Sequence, residues 1–176
     1  VLDTCIDMGA SITVAQGMDA VYGDAAERPM IAAVIGDSTF CHSGMTGLLN
    51  ACWNKHDGLY VVLDNGTTAM TGTQPNPSSG ERIGHENAMV LDYRLLAKAF
   101  GIPDENVAIV DVHDRQAIHE ALDDLTERTG VRLLVTMGLC VMEAKELHKI
   151  GKLDEKKAWR ELELQPVCNS GGRAND

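Results

Sequence analysis

Two short stretches place oxygen-bearing residues where chemistry could be done. "MIAAVI" at 30–35 runs into Gly36, Asp37, Ser38 and Thr39, and "GLYVVLD" at 58–64 runs into Asn65, Gly66, Thr67 and Thr68. Each apolar run has the length and continuity of a strand buried on both faces. In open α/β sheets, ligands gather beyond the carboxyl ends of the strands. If these two strands are neighbours, Asp37 and Asn65 face one crevice. A carboxylate, an amide oxygen and a turn carbonyl are hard donors that suit Mg²⁺ or Ca²⁺ better than zinc. Mg²⁺ completes its octahedron with water and substrate phosphates, so the pair implies a phosphate compound. The segment 43–55 reads as a helix with Ser43 as N-cap, and its first amides would face such a phosphate. Both stretches also suit plain polar turns that hold no ligand.

Other chemistries for the same residues lack their partners. A nucleophile elbow needs Gly-x-Ser-x-Gly, and position 40 is Phe. A Gly-Asp-Ser esterase would need a downstream Asp-x-x-His to activate Ser38. The residues three before the six histidines are Thr39, Trp53, Arg82, Val110, Gln116 and Lys145, so that base is missing. There is no Gly-x-Gly-x-x-Gly and no Walker A lysine.

The elements that must position these residues alternate. A helix is expected from Met8 to Tyr22, strands at 30–35 and 58–64, a helix at 87–101 stopped by Gly101, a strand at 107–112, a helix at 114–130 capped by Asp114, and a strand at 131–137. The pattern predicts an α/β fold with a doubly wound, mostly parallel sheet. Residues 65–86 form a Gly-, Pro-, Thr- and Ser-rich loop of a length that is usually functional.

The 176 residues carry a net charge of -11 with 44% hydrophobic and 4% aromatic content, which fits one domain with an aliphatic core. An acidic chain lacks the basic face that nucleic acid or an anionic membrane requires. No apolar run reaches the roughly 18 residues of a membrane span. Five cysteines of irregular spacing, with no Cys-x-x-Cys pair, suit a reduced, cytoplasmic protein, and Cys5, Cys41 and Cys52 are expected to be buried or close behind the site. The chain opens on Val1 within patterned sequence, as expected of a piece of a longer protein.

"GDSTFCHSGMTGLLNACWNK" followed by "VVLDNGTTAMTGTQP" resembles the thiamine-diphosphate-binding domain of the indolepyruvate:ferredoxin oxidoreductase α subunit. The wider pattern is Gly-Asp-Gly/Ser followed by Asn after just under thirty residues, here Gly36-Asp37-Ser38 and Asp64-Asn65. "DTC-x-x-MGASI" near the start also matches, and Gly138-Leu139-Cys140 resembles the family's Pro-Cys.

The resemblance implies the thiamine-diphosphate-binding fold over 1–140, with Mg²⁺ held by the Asp37 and Asn65 side chains and the Thr67 carbonyl. Gly36, Ser38, Thr39 and the turn Thr68, Ala69, Met70, Thr71 and Gly72 would surround the diphosphate. Met8, Gly9 and Ala10 would pack near the aminopyrimidine, and His42 would touch a phosphate or the thiazolium side, where a catalytic role and a plain backbone-bonded histidine are both open. It further implies oxidative decarboxylation of a 2-oxo acid, with electrons passing to ferredoxin and the acyl group to coenzyme A. A glutamate from a separate pyrimidine-binding domain and a second subunit would complete the enzyme, so this chain alone is expected to be incomplete for catalysis.

A helical extension is expected over 141–164, docked by Trp159, Leu162 and Leu164, and then a loop-like tail over 165–176. The tail keeps the ferredoxin cysteine spacing, but Gly171 and Ala174 stand where the second and third cysteines after Cys168 would be. One thiolate cannot hold an iron–sulfur cluster, so none is expected here. The rival readings are another thiamine-diphosphate decarboxylase or acetolactate-synthase-like enzyme, a non-catalytic assembly domain, and the serine esterase.

Overall fold

The structure, a computed structural model, describes residues 3–23 and 25–154. Four strands, β1 (Ala32–Gly36), β2 (Gly58–Asp64), β3 (Val107–Asp111) and β4 (Val131–Met137), form one sheet in the order β1-β2-β4-β3. All three pairings are parallel. Parallel neighbours need crossovers, which the helices supply. β1 and β2 are adjacent with Gly36 opposite Leu63, so residues 37 and 65 leave the sheet side by side.

Alternation along the strands builds two apolar layers. Ala33, Ile35, Tyr60, Val62, Leu133, Val135 and Met137 pack on one face with Ile12 of α1 (Ser11–Tyr22), Leu48 of α3 (Met45–Trp53) and Ala97 of α4 (Tyr93–Phe100). Leu59 and Leu134 pack on the other with Leu125 of α5 (Arg115–Thr126). Helices therefore cover both faces, as the doubly wound pattern requires. β4 is buried at all seven positions, which makes it the central support of the sheet.

Several boundaries differ from the expectation, each for a physical reason. The helix expected to start at Ser43 begins at once after β1, with an α-turn α2 (Asp37–Thr39), a π-helical turn Phe40–Gly44 and then α3. Ser43 is thus inside the helical path, and its hydroxyl donates back to the Thr39 carbonyl at 3.3 Å instead of capping. α1 starts at Ser11 instead of Met8, because Gly9 has φ +99 and cannot continue a right-handed turn. α4 starts at Tyr93, where the Asp92 side chain accepts from the Leu95 N–H; it stops at Gly101, as its left-handed conformation dictates. Asp114 caps α5 as expected, through Ala117 N–H at 3.0 Å, although the helix ends at Thr126, short of Gly130. Cys5 is exposed, contrary to expectation, since the segment ahead of α1 lies on the surface.

At the amino end of the sheet, away from the crevice, Arg132 of β4 is buried against Asp57 at 2.6 Å, and Arg28 and His56 both meet Asp19. This network ties α1 to the starts of β2 and β4. After β4 comes α6 (Val141–Lys149). The readings made on Trp159, Leu162, Leu164, Cys168 and residues 165–176 lie outside the described residues. No helix among the described residues is long and apolar enough to cross a membrane.

Candidate functional site

The crevice is built where β1 and β2 end. β1 passes without a linker into α2, so Asp37 stands at a helix N-terminus, whose first amides have no acceptor within the helix. The π-helical turn that follows is a feature often found at functional sites. Gly36 has φ -78, and a Cβ placed there would meet nothing within 4 Å. Neither the backbone nor the packing demands glycine at that position, which opens space at the strand end.

Asp37 is buried, at 3% exposure. Its Oδ2 accepts from the Ser78 hydroxyl at 2.9 Å, the Gly66 N–H at 3.1 Å and the Asn76 Nδ2 at 3.3 Å. Gly66, with φ +75, turns its N–H between two carboxylates, since Asp64 Oδ1 accepts from it as well at 2.8 Å. Asp64 Oδ2 accepts from the buried Tyr93 hydroxyl at 2.9 Å. Burial first, and then the neighbouring Asp64 charge, push the Asp37 carboxyl above its usual range, against hydrogen bonds from Ser38 and Ser78 that favour the charged form. Among the described residues, none of the ion pairs involves Asp37. A buried carboxylate so placed suits a cation as its partner.

Asn65 and Thr67 follow on the same turn. Asn65 Oδ1 accepts from the Thr67 N–H at 3.1 Å, and the Thr67 carbonyl accepts from the Ala69 N–H at 3.0 Å. Each oxygen keeps a second lone pair. With Asp37 they are three oxygen-bearing groups at the ends of adjacent strands. Oxygen donors of this kind suit a hard cation better than zinc.

Some of the remaining predicted residues touch the start of the helix after β1. The Thr68 hydroxyl donates to Ser38 Oγ at 2.9 Å, which stitches the 68–72 turn to the helix start. That turn is closed by Gln74, whose carbonyl accepts from Thr68 N–H and whose amide donates to the Thr71 carbonyl at 2.6 Å. Ala69, Met70, Thr71 and Gly72 form its exposed tip. Gly9 lies against the helix, since a Cβ there would fall 2.3 Å from Ser43 Oγ and 3.6 Å from a Thr39 methyl. Gly9 therefore flanks Thr39, while Met8 is 72% exposed. His42 is exposed on the π-helical turn.

Cys41 shares this neighbourhood. Burial, reinforced by Asp37 and Asp64, pushes its thiol up to about 12. Such a thiol stays protonated at neutral pH, and the thiolate is the reactive form. Iodoacetamide at neutral pH, without added metal, should alkylate exposed Cys5 and spare Cys41, as peptide mass mapping would show.

Asn76, Ser78 and Tyr93 were not identified from the sequence. Asn and Ser in "QPNPSSG" signal tight turns, but nothing local says which distant group the turn will meet.

Comparisons with known proteins bear on the family and the fold. Residues 2–136 match the family model described as thiamine pyrophosphate enzyme, C-terminal TPP binding domain. Indolepyruvate oxidoreductase subunit IorA of Pyrococcus abyssi is 41% identical over 168 residues, which covers 90% of this chain and 25% of that protein. The Thermococcus kodakarensis subunit of the same name is 39% identical over 161 residues, covering 86% and 24%. The chain thus spans about a quarter of the length of the curated relatives it matches. A solved 2-oxoglutarate:ferredoxin oxidoreductase from Magnetococcus marinus superposes with a TM-score of 0.61 at 19% identity, over 79% of this chain and 50% of that one, and so shares the fold. A match over most of the chain, on a parallel sheet whose first two strands end in the expected motifs, settles the family: the chain belongs to the thiamine pyrophosphate enzymes, as a C-terminal TPP-binding domain.

Proposed function

We propose that this domain binds thiamine diphosphate through Mg²⁺ within an indolepyruvate-type 2-oxoacid:ferredoxin oxidoreductase. The observation that carries the reading is the buried Asp37 carboxylate, which accepts from the Gly66 N–H on the turn that holds Asn65 and Thr67, where β1 and β2 end side by side. In it, Asp37 and Asn65 ligate the cation through side chains and Thr67 through its carbonyl. The first amides of α2 with Ser38 and Thr39 on one side, and the Thr68–Gly72 turn on the other, bind the diphosphate oxygens. The bare Gly36 leaves room for that group. Met8, Gly9 and Ala10 border the aminopyrimidine end, and exposed His42 reaches a phosphate oxygen or the thiazolium side.

Bound thiamine diphosphate supplies the carbanion chemistry that cleaves a 2-oxo acid next to its carbonyl. The part of this chain is to hold and orient that group and to compensate the charge of its cation. A pyrimidine-side domain, a second subunit, coenzyme A and ferredoxin complete the reaction in this reading, and the cytoplasm is its setting.

The test is arylpyruvate oxidation by the intact enzyme. Reduction of ferredoxin together with acyl-CoA formation is expected. Aldehyde release without ferredoxin reduction would favour a plain decarboxylase instead.

A further inference from the structure

Asp37 is held by a turn from the far end of the long loop. Ser78 is fully buried, and its hydroxyl reaches Asp37 across 41 residues of sequence. The Asn76 amide is oriented by elimination: the Ser78 main-chain N–H can only donate, so the Asn76 atom 2.8 Å away is oxygen, and the NH₂ faces Asp37. The Ser78 hydroxyl has a single proton and two acceptors in reach, Asn76 Oδ1 at 2.7 Å and Asp37 Oδ2 at 2.9 Å. The charged carboxylate is the stronger claimant. Ser79 closes the turn, accepting from the Asn76 N–H at 3.2 Å and donating to the Asn76 carbonyl at 2.7 Å.

We propose that the turn 76–79 is an orienting clamp, in which Ser78 and Asn76 are positioning residues that hold Asp37 with Oδ2 turned into the protein and Oδ1 presented to the divalent cation. The inference rests on the reading of Asp37 as a cation ligand. Three donors converging on one carboxylate oxygen fix the rotamer and oppose bidentate binding, so Asp37 takes the metal through a single oxygen. The clamp also joins the two ends of one loop. Residues 68–72, proposed to meet the diphosphate, and Ser78, which orients the metal ligand, are set relative to each other through Asp37 and Gly66.

Partners behind a metal ligand characteristically alter metal affinity more than overall binding. In the intact enzyme, Ser78→Ala should weaken Mg²⁺ about tenfold when titrated calorimetrically at saturating thiamine diphosphate, while cofactor affinity at saturating Mg²⁺ stays within about twofold. Asn76→Ala, which removes the longer bond, should weaken Mg²⁺ by about threefold with the same selectivity. Equal losses in both affinities would show only general loosening of the loop and would overturn the clamp, as would wild-type Mg²⁺ affinity in both variants. If Ser78→Ala does not fold, Asn76→Ala, on a half-buried residue, decides by the same two titrations. Asp37→Ala separates the levels: unchanged metal affinity there defeats the cation-ligand reading itself, whereas its loss beside unaltered Ser78→Ala and Asn76→Ala defeats the clamp alone.

Discussion

Asp37→Ala should abolish magnesium-dependent binding of thiamine diphosphate, weakening it by at least about a hundredfold, the upper end of what removing a mere outer partner costs. The substitution deletes the one carboxylate of the proposed donor set and leaves an amide and a carbonyl, both already holding an internal hydrogen bond. It also removes the oxygen on which three donors, from Gly66, Asn76 and Ser78, converge. Ser38→Ala supplies the contrast. Ser38 Oγ accepts from the Thr68 hydroxyl at 2.9 Å, a neutral bond worth about 1 kcal/mol, so its loss should weaken the cofactor less than about tenfold. Titration calorimetry on the intact enzyme reads both. Comparable losses in the two variants would contradict the separate roles assigned to adjacent residues.

Tyr93→Phe should destabilise the domain by about 1.5–3 kcal/mol, the range for a hydrogen bond to a buried charged group. Tyr93 is 1% exposed at the start of α4, and its hydroxyl donates to Asp64 Oδ2 at the end of β2. Burial and the Asp64 charge hold its own ionisation far above the usual tyrosine value, so the phenol remains a donor at every working pH. Removing the hydroxyl takes one buried hydrogen bond from Asp64, beside the Gly66 turn that also serves Asp37. For a domain of this size the melting temperature should fall by about 3–12 °C. The Phe ring keeps the packing against Phe40, whose centroid lies 5.9 Å away, which confines the change to the hydroxyl. An unmoved melting curve would contradict the role given to this pair.

The strands were legible because continuous apolar runs such as "GLYVVLD" and "VRLLVTM" leave little else for a sheet buried on both faces. The caps at Asp114 and Gly101 were legible as well, because capping is local chemistry. The start of the helix after β1 was not. Ser43 is an excellent N-cap by type, yet the helical path already begins at Asp37, through a π-helical turn for which residue preferences give no signal. Two apolar contacts favour the longer path: Phe40 is fully buried, and Gly44 fits against Ile35 and Phe40 where a side chain would clash.

The candidate site divides in the same way. Asp37 and Asn65 could be paired from sequence because each ends an apolar run, and parallel neighbours bring those ends together. Ser78, Asn76 and Tyr93 reach the same carboxylates from 29 to 41 residues away, over a loop whose path depends on the folded sheet. Their types mark turns and core, but their targets are tertiary. His42 was singled out by its place in the motif, and the structure sets it exposed on the π-helical turn without a feature that chooses between its proposed contacts.

The most direct test is a calorimetric titration of the intact enzyme with thiamine diphosphate, first with Mg²⁺ and then after its removal by a chelator. Saturable binding that depends on the cation, and that Asp37→Ala removes, is the predicted result. No binding, or binding indifferent to Mg²⁺ and to Asp37, would contradict the account.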